Sequence, residues 1–150
     1  MTRNRHPFAM KTRPWRLRLA GLCIGLLSIG ASQAESRVWM TVGERRMAVT
    51  LADTQAARAF AARLPLSLDM SDLNGNEKKV DLPTALPANP SRPGTIRNGD
   101  LLLYGANTVV LFYLTFDSPY GYTRLGRVEN PDGLAQALGP RDVKVGFARD

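Results

Sequence analysis

Between Arg37 and Phe147 the chain is cut into short extended runs by glycine, asparagine and proline, and this punctuation limits its folds more than any other feature. Arg37–Val42 is rich in β-branched and aromatic side chains, Gly43-Glu44 turns it, and Arg46–Leu51 returns as a second strand. Leu66–Leu73 alternates strictly, with Leu66, Leu68 and Met70 against Ser67, Asp69 and Ser71, which is the pattern of a half-buried strand. Asn74-Gly75 turns that run into Glu77–Leu82. Leu101–Tyr104 and Thr108–Leu114 are the most apolar runs, and the second reads as buried on both faces. Tyr120–Val128, with Gly126 as a bulge, and Asp142–Phe147 complete eight strands.

Two helices interrupt them. Asp53 offers a cap to Thr54–Arg63, whose apolar stripe is Ala56, Ala57, Phe60 and Leu64 and which Pro65 ends. Asn130 caps a shorter one, with Pro131 in its first turn and Gly139-Pro140 as its stop. The stretch holding Pro83, Pro87, Pro90 and Pro93 cannot be a central strand and reads as an ordered loop around the domain. Eight short strands with recurring hairpin turns predict a mainly β fold. A closed antiparallel eight-stranded barrel with two short capping helices fits best, because closure leaves no exposed edge.

Charge divides the chain. Of 20 Lys and Arg, six (Arg3, Arg5, Lys11, Arg13, Arg16, Arg18) lie in residues 1–34, which hold no acidic residue. They precede an apolar run of 13 residues, Leu19–Ala31, and the small-residue sequence Ala31-Ser32-Gln33-Ala34. This is the layout of a signal peptide cleaved before Glu35. The run is short against the roughly 20 residues a membrane helix needs, so an uncleaved anchor fits less well. Met10 would serve as an alternative start, leaving a compact leader. Residues 1–34 therefore read as a signal and 35–150 as one exported domain, periplasmic or secreted.

The exported part carries 14 basic and 13 acidic side chains, which disfavours nucleic acid as a partner. It has no amphipathic basic helix to hold it on a membrane after cleavage. Its cysteine (Cys23) and histidine (His6) go with the leader. The domain then has no disulfide, no Ser-His-Asp or Cys-His machinery, and no imidazole or thiolate metal ligand. Asp72-Leu73-Asn74-Gly75-Asn76 has the acidic start of a calcium loop, but its glycine comes too early and no glutamate closes it at the required distance. No metal and no cofactor are expected. Acid–base work would fall to carboxylates, Lys or Tyr, with Asp69, Asp72 and Glu77 as the nearest cluster for a hydrolase.

The blocks Leu64–Lys78, Arg92–Asn107, Val109–Tyr113 and Tyr120–Arg127 resemble the bacterial cyclophilin-like family of small barrels. The likeness runs through most of residues 37–148 and implies an eight-stranded barrel capped by two helices. True cyclophilins are prolyl isomerases with a Phe-His-Arg block, a Phe-Phe pair, a Trp and a His about a proline pocket. Here that block is absent, Trp39 stands in the first strand, and only Gly99-x-Leu101 and Phe112-Tyr113 echo the parent. The resemblance transfers a fold and no catalytic residue.

Isomerisation needs an apolar slot and a donor to the twisted amide across a barrier near 20 kcal/mol. Tyr120, Tyr122 and Arg124 share one strand face by alternation, and Phe112 or Tyr113 could add an aromatic wall. Such a face is most often that of an ordinary solvated strand with cross-strand packing. The sequence reading is a monomeric, non-catalytic module for a proline-containing peptide or small molecule, with Phe112, Tyr113, Tyr122 and Arg124 as its patch and Asn107 at the rim. A weak, metal-independent prolyl isomerase is the alternative, and a carboxylate hydrolase comes third.

Overall fold

The structure is a computed structural model and describes residues 36–150. The leader, its cleavage point and the Met10 start lie outside the described residues. Ten strands and two helices follow in order: β1 (Arg37–Val42), β2 (Arg45–Leu51), α1 (Gln55–Ala62), β3 (Leu66–Leu73), β4 (Glu77–Asp81), β5 (Gly94–Ile96), β6 (Asp100–Tyr104), β7 (Thr108–Phe112), β8 (Phe116–Ser118), β9 (Thr123–Val128), α2 (Leu134–Leu138) and β10 (Val143–Ala148). Eight of the strands close an antiparallel barrel in the order β1-β10-β3-β4-β7-β6-β9-β2, as the turn pattern predicts. Two strands, β5 and β8, were not expected. They pair only with each other, Ile96 opposite Phe116.

The alternation of each strand sorts its side chains between barrel interior and outer wall. Val38, Met40, Val49, Met70, Leu101, Leu103, Val109, Leu111, Leu125, Val128, Val145 and Phe147 form the interior, each at most 1% exposed. Every such side chain contributes about 1.5–3 kcal/mol when taken from water. Strand direction puts α1 and α2 at opposite ends. The first follows β2 near the start of β1, and the second follows β9 near the start of β10. Phe60 of α1 enters the core and meets Phe147 edge to face, with centroids 5.4 Å apart. Leu134 and Leu138 of α2 are buried in the same core.

Local details shift by a residue or more from the sequence reading. The cap of α1 is Thr54, not Asp53. Its hydroxyl accepts from the Ala57 N–H at 3.0 Å and donates to the Arg124 carbonyl at 2.7 Å. Asp53 instead pairs with Arg58 at 2.6 Å. Asn130 forms a side-chain turn with the Asp132 N–H, and α2 begins four residues beyond it, after Gly133 at φ 77°. Strand β9 starts at Thr123, so Tyr120 lies outside it and Tyr122 makes a single bridge to Ser91. No helix among the described residues is long and apolar enough to cross a membrane.

Candidate binding cleft

The outer wall of the barrel carries a second apolar cluster. Leu102 of β6 and Val110 and Phe112 of β7 point outward, opposite in sense to Leu101, Leu103, Val109 and Leu111. Ile96, Tyr122 and the partly buried Phe116 pack over them, so the small β5–β8 sheet is held to the wall by its apolar side chains. Phe112 is 5.6 Å from Phe116 and 5.7 Å, edge to face, from Tyr122 between ring centroids. The aromatic chain continues outward. Tyr104 lies 5.7 Å from Tyr122 and 6.3 Å from Tyr120.

Beside this cluster a cleft of about 500 Å³ runs over the outer faces of β4 and β7, between the β3–β4 turn and the β8 segment. That volume is in the range of small-ligand sites. Val110, Phe116 and Tyr122 give it apolar surface, and Tyr104 and Tyr120 stand 49% and 58% exposed along it. Glu77, Lys79 and Asp81 project from β4, and Asp117 from β8. Asp81 accepts a 2.7 Å hydrogen bond from Thr108, and Asp117 one of 2.9 Å from Thr95. Glu77 is half-buried, and its carboxylate has neither a hydrogen bond nor an ion pair among the described residues. Burial pushes its carboxyl above the ordinary value, the Asp72 charge adds to this, and Lys79 opposes it. Burial likewise raises the Tyr122 phenol.

A second cleft, about 750 Å³, opens where α1 meets β2 and β9, lined by Asp53, Arg58, Arg124, Arg127 and Glu129. A bulge builds it. Leu101 pairs with Gly126 and Leu102 with Arg124, leaving Leu125 as the extra residue. Alternation alone would send Arg124 and Arg127 to opposite faces, but the bulge turns both outward while Leu125 and Val128 stay in the core. Most of its charges are already paired, Arg58 with Asp53 and Arg37 with Glu129.

Inside the barrel end near α2, the buried Lys78 donates to Asp72 at 2.8 Å and to the Gly139 and Arg141 carbonyls at 2.7 Å each. The Tyr113 hydroxyl donates to the same Asp72 oxygen at 2.6 Å. Hydrogen bonds from Lys78, then Tyr113, hold the Asp72 carboxyl below its usual range. Burial first, then Asp72, pushes the Tyr113 phenol up to about 12. No group of three or more His, Cys, Asp or Glu side chains among the described residues is placed to hold a metal ion.

With this geometry in view, a sequence model of the cyclophilin-like family matches residues 40–148. The chain belongs to the cyclophilin-like family. Its fold is similar to the solution structure of a hypothetical protein from Archaeoglobus fulgidus, with a TM-score of 0.51 and 16% identity, covering 81% of this chain and 100% of that one. Comparison with curated proteins gave no match.

The cyclophilin-like barrel brings together only part of the patch read from the sequence. Phe112 and Tyr122 meet on the outer wall, while Tyr113, one residue on, faces the interior and is committed to Asp72. Arg124 is outside the wall like Tyr122 but lines the other cleft. Asn107 holds a turn, its amide donating to the Leu82 carbonyl at 3.1 Å. The three carboxylates also part. Asp69 pairs with Lys144 on the surface, Asp72 with Lys78, and Glu77 alone reaches the cleft. Tyr104 was not among the site residues read from the sequence, and Glu77 was read only as one of the three hydrolase carboxylates. Alternation carried one signal, since Tyr104 must share a face with Leu102 rather than with Leu101 and Leu103.

Proposed function

We propose that this cyclophilin-like domain is an exported, monomeric, non-catalytic binding module, and that the tyrosine-walled cleft receives its ligand, a peptide or small molecule. The observation carrying this reading is the pair Tyr104 and Tyr120. Large aromatic rings left exposed at the edge of a concave apolar surface gain most when a ligand covers them. Export is supported by the basic, apolar and small-residue order of residues 1–34. Arg124, which the sequence reading set beside Tyr120 and Tyr122, lines the other cleft.

The test is an NMR titration of the isotope-labelled protein with uncharged X-Pro peptides, together with exchange spectroscopy on the peptides. Shift changes at Tyr104, Tyr120 and Tyr122 with unchanged cis/trans exchange are the expected result. Accelerated exchange would replace the binding module with an isomerase. Unperturbed tyrosines at millimolar peptide would overturn the assignment of the cleft.

A further inference from the structure

The charges that line the cleft are mostly acidic. Glu77 brings a half-buried carboxylate with no partner among the described residues. Asp81 and Asp117 each receive one hydroxyl hydrogen bond, and a carboxylate can accept several. The Asn76 side-chain oxygen, also in the lining, is buried and receives no hydrogen bond. Against these stands one cation, Lys79, which makes no ion pair within 4.0 Å among the described residues. Three carboxylates against one ammonium make the cleft negative on a domain that otherwise carries a slight positive excess.

A carboxylate withdrawn from water without a partner is costly, and a ligand that supplies the missing donor recovers that cost. Tyrosine rings favour the same kind of ligand, because a cation over an aromatic face is attracted by its quadrupole. We infer that the ligand of this cleft presents a cationic nitrogen, the ammonium or guanidinium of a basic peptide side chain, to Glu77, while Tyr104 and Tyr120 cover its carbon stem. Lysine and arginine fit both halves of the site. They carry several N–H donors for Glu77, and a methylene stem that gains by lying along a ring. This inference rests on the cleft being the binding site and adds the class of ligand.

Two capped peptides that differ at one residue separate the two claims: acetyl-Ala-Lys-Pro-Ala-amide and the same peptide with norleucine for lysine. Calorimetry and NMR with the full chain should give about tenfold tighter binding of the lysine peptide. Glu77→Gln should remove most of that difference and leave the norleucine peptide unchanged. The lysine preference should also shrink between about 50 and about 300 mM salt, a readout that needs no variant. Equal affinities with perturbed tyrosines would overturn the cationic ligand and keep the cleft. A Glu77→Gln effect equal for both peptides would overturn it too, since that marks a structural role. Binding of neither peptide would overturn both claims.

Discussion

The ammonium of Lys78, a side chain with no exposed surface, donates to the carboxylate of Asp72 over 2.8 Å, and so ties β4 to β3 from inside the barrel. The same nitrogen holds the Gly139 and Arg141 carbonyls just past α2. A five-residue helix has too few internal bonds to stand alone. Lys78→Met keeps the length of the side chain and removes every donor. It should cost about 3 kcal/mol, because two carbonyls and a carboxylate lose their partner. Urea unfolding at neutral pH checks this, and an unmoved midpoint would contradict it.

Asp72 and Glu129 both have carboxyls held below their usual values, the first chiefly by Lys78 and the second chiefly by Arg37. Their stabilisation is complete above the unfolded carboxylate range and is lost as pH falls through the lower folded values. Stability should therefore decline below about pH 4. Asp72→Asn should flatten that decline. Tyr113 governs the opposite limb. Its phenol, pushed up to about 12, favours the protonated folded state, so stability should fall from about pH 10 toward 12. Tyr113→Phe should reduce that slope in denaturant titrations across the range.

Glu77 has the reverse sign from Asp72. Its raised carboxyl makes ionisation harder in the folded state, so its charge weakens the fold once pH exceeds the unfolded value. Glu77→Gln should be slightly more stable than the native protein at pH 7, and this gain should vanish below about pH 4. Melting curves at the two pH values measure it.

At Gly126 a Cβ atom would lie 2.5 Å from the Thr50 carbonyl oxygen and 3.3 Å from the Leu51 Cα, both on β2. The obstacle is backbone and cannot swing away. Gly126→Ala should therefore push β9 from β2 and cost about 2 kcal/mol, read from chemical unfolding.

Tyr120→Ala and Tyr104→Ala should leave stability within about 1 kcal/mol, since both rings are largely exposed. Each should weaken peptide binding about tenfold. Phe112→Ala is the contrasting case. It removes a fully buried ring from beneath the β5–β8 sheet and should cost about 3–5 kcal/mol. Paired calorimetric and unfolding measurements distinguish the two classes.

The barrel was legible because all eight of its strands read as short extended runs between clear turns. Strands β5 and β8 gave no such signal. Each has three residues, too few for a period, and each exists because Ile96 and Phe116 find the outer wall. The site was legible in its residue types but not in its grouping. Phe112 and Tyr113 had to point to opposite sides of one strand, yet which side was interior depended on the closed sheet. The bulge at Leu125 then put Arg127 on the same outer face as Arg124, in a cleft that Tyr122 does not line. Glu77 read as part of a hairpin, and its isolation became visible only with its neighbours in place.

Strand β1 pairs on one side with β2, its neighbour in sequence, and on the other with β10, Trp39 lying opposite Ala148. The seam of the barrel is therefore a contact between its first and last strands. Nothing shorter than the whole of residues 37–148 can close it, and an emerging chain holds β1 with one edge open until β10 arrives. Closure over so long a loop is slow, and the open edge is prone to pair with other chains in the interval. On the proposed export route, threading from the N-terminus, that delay would keep the domain extensible until translocation is nearly finished.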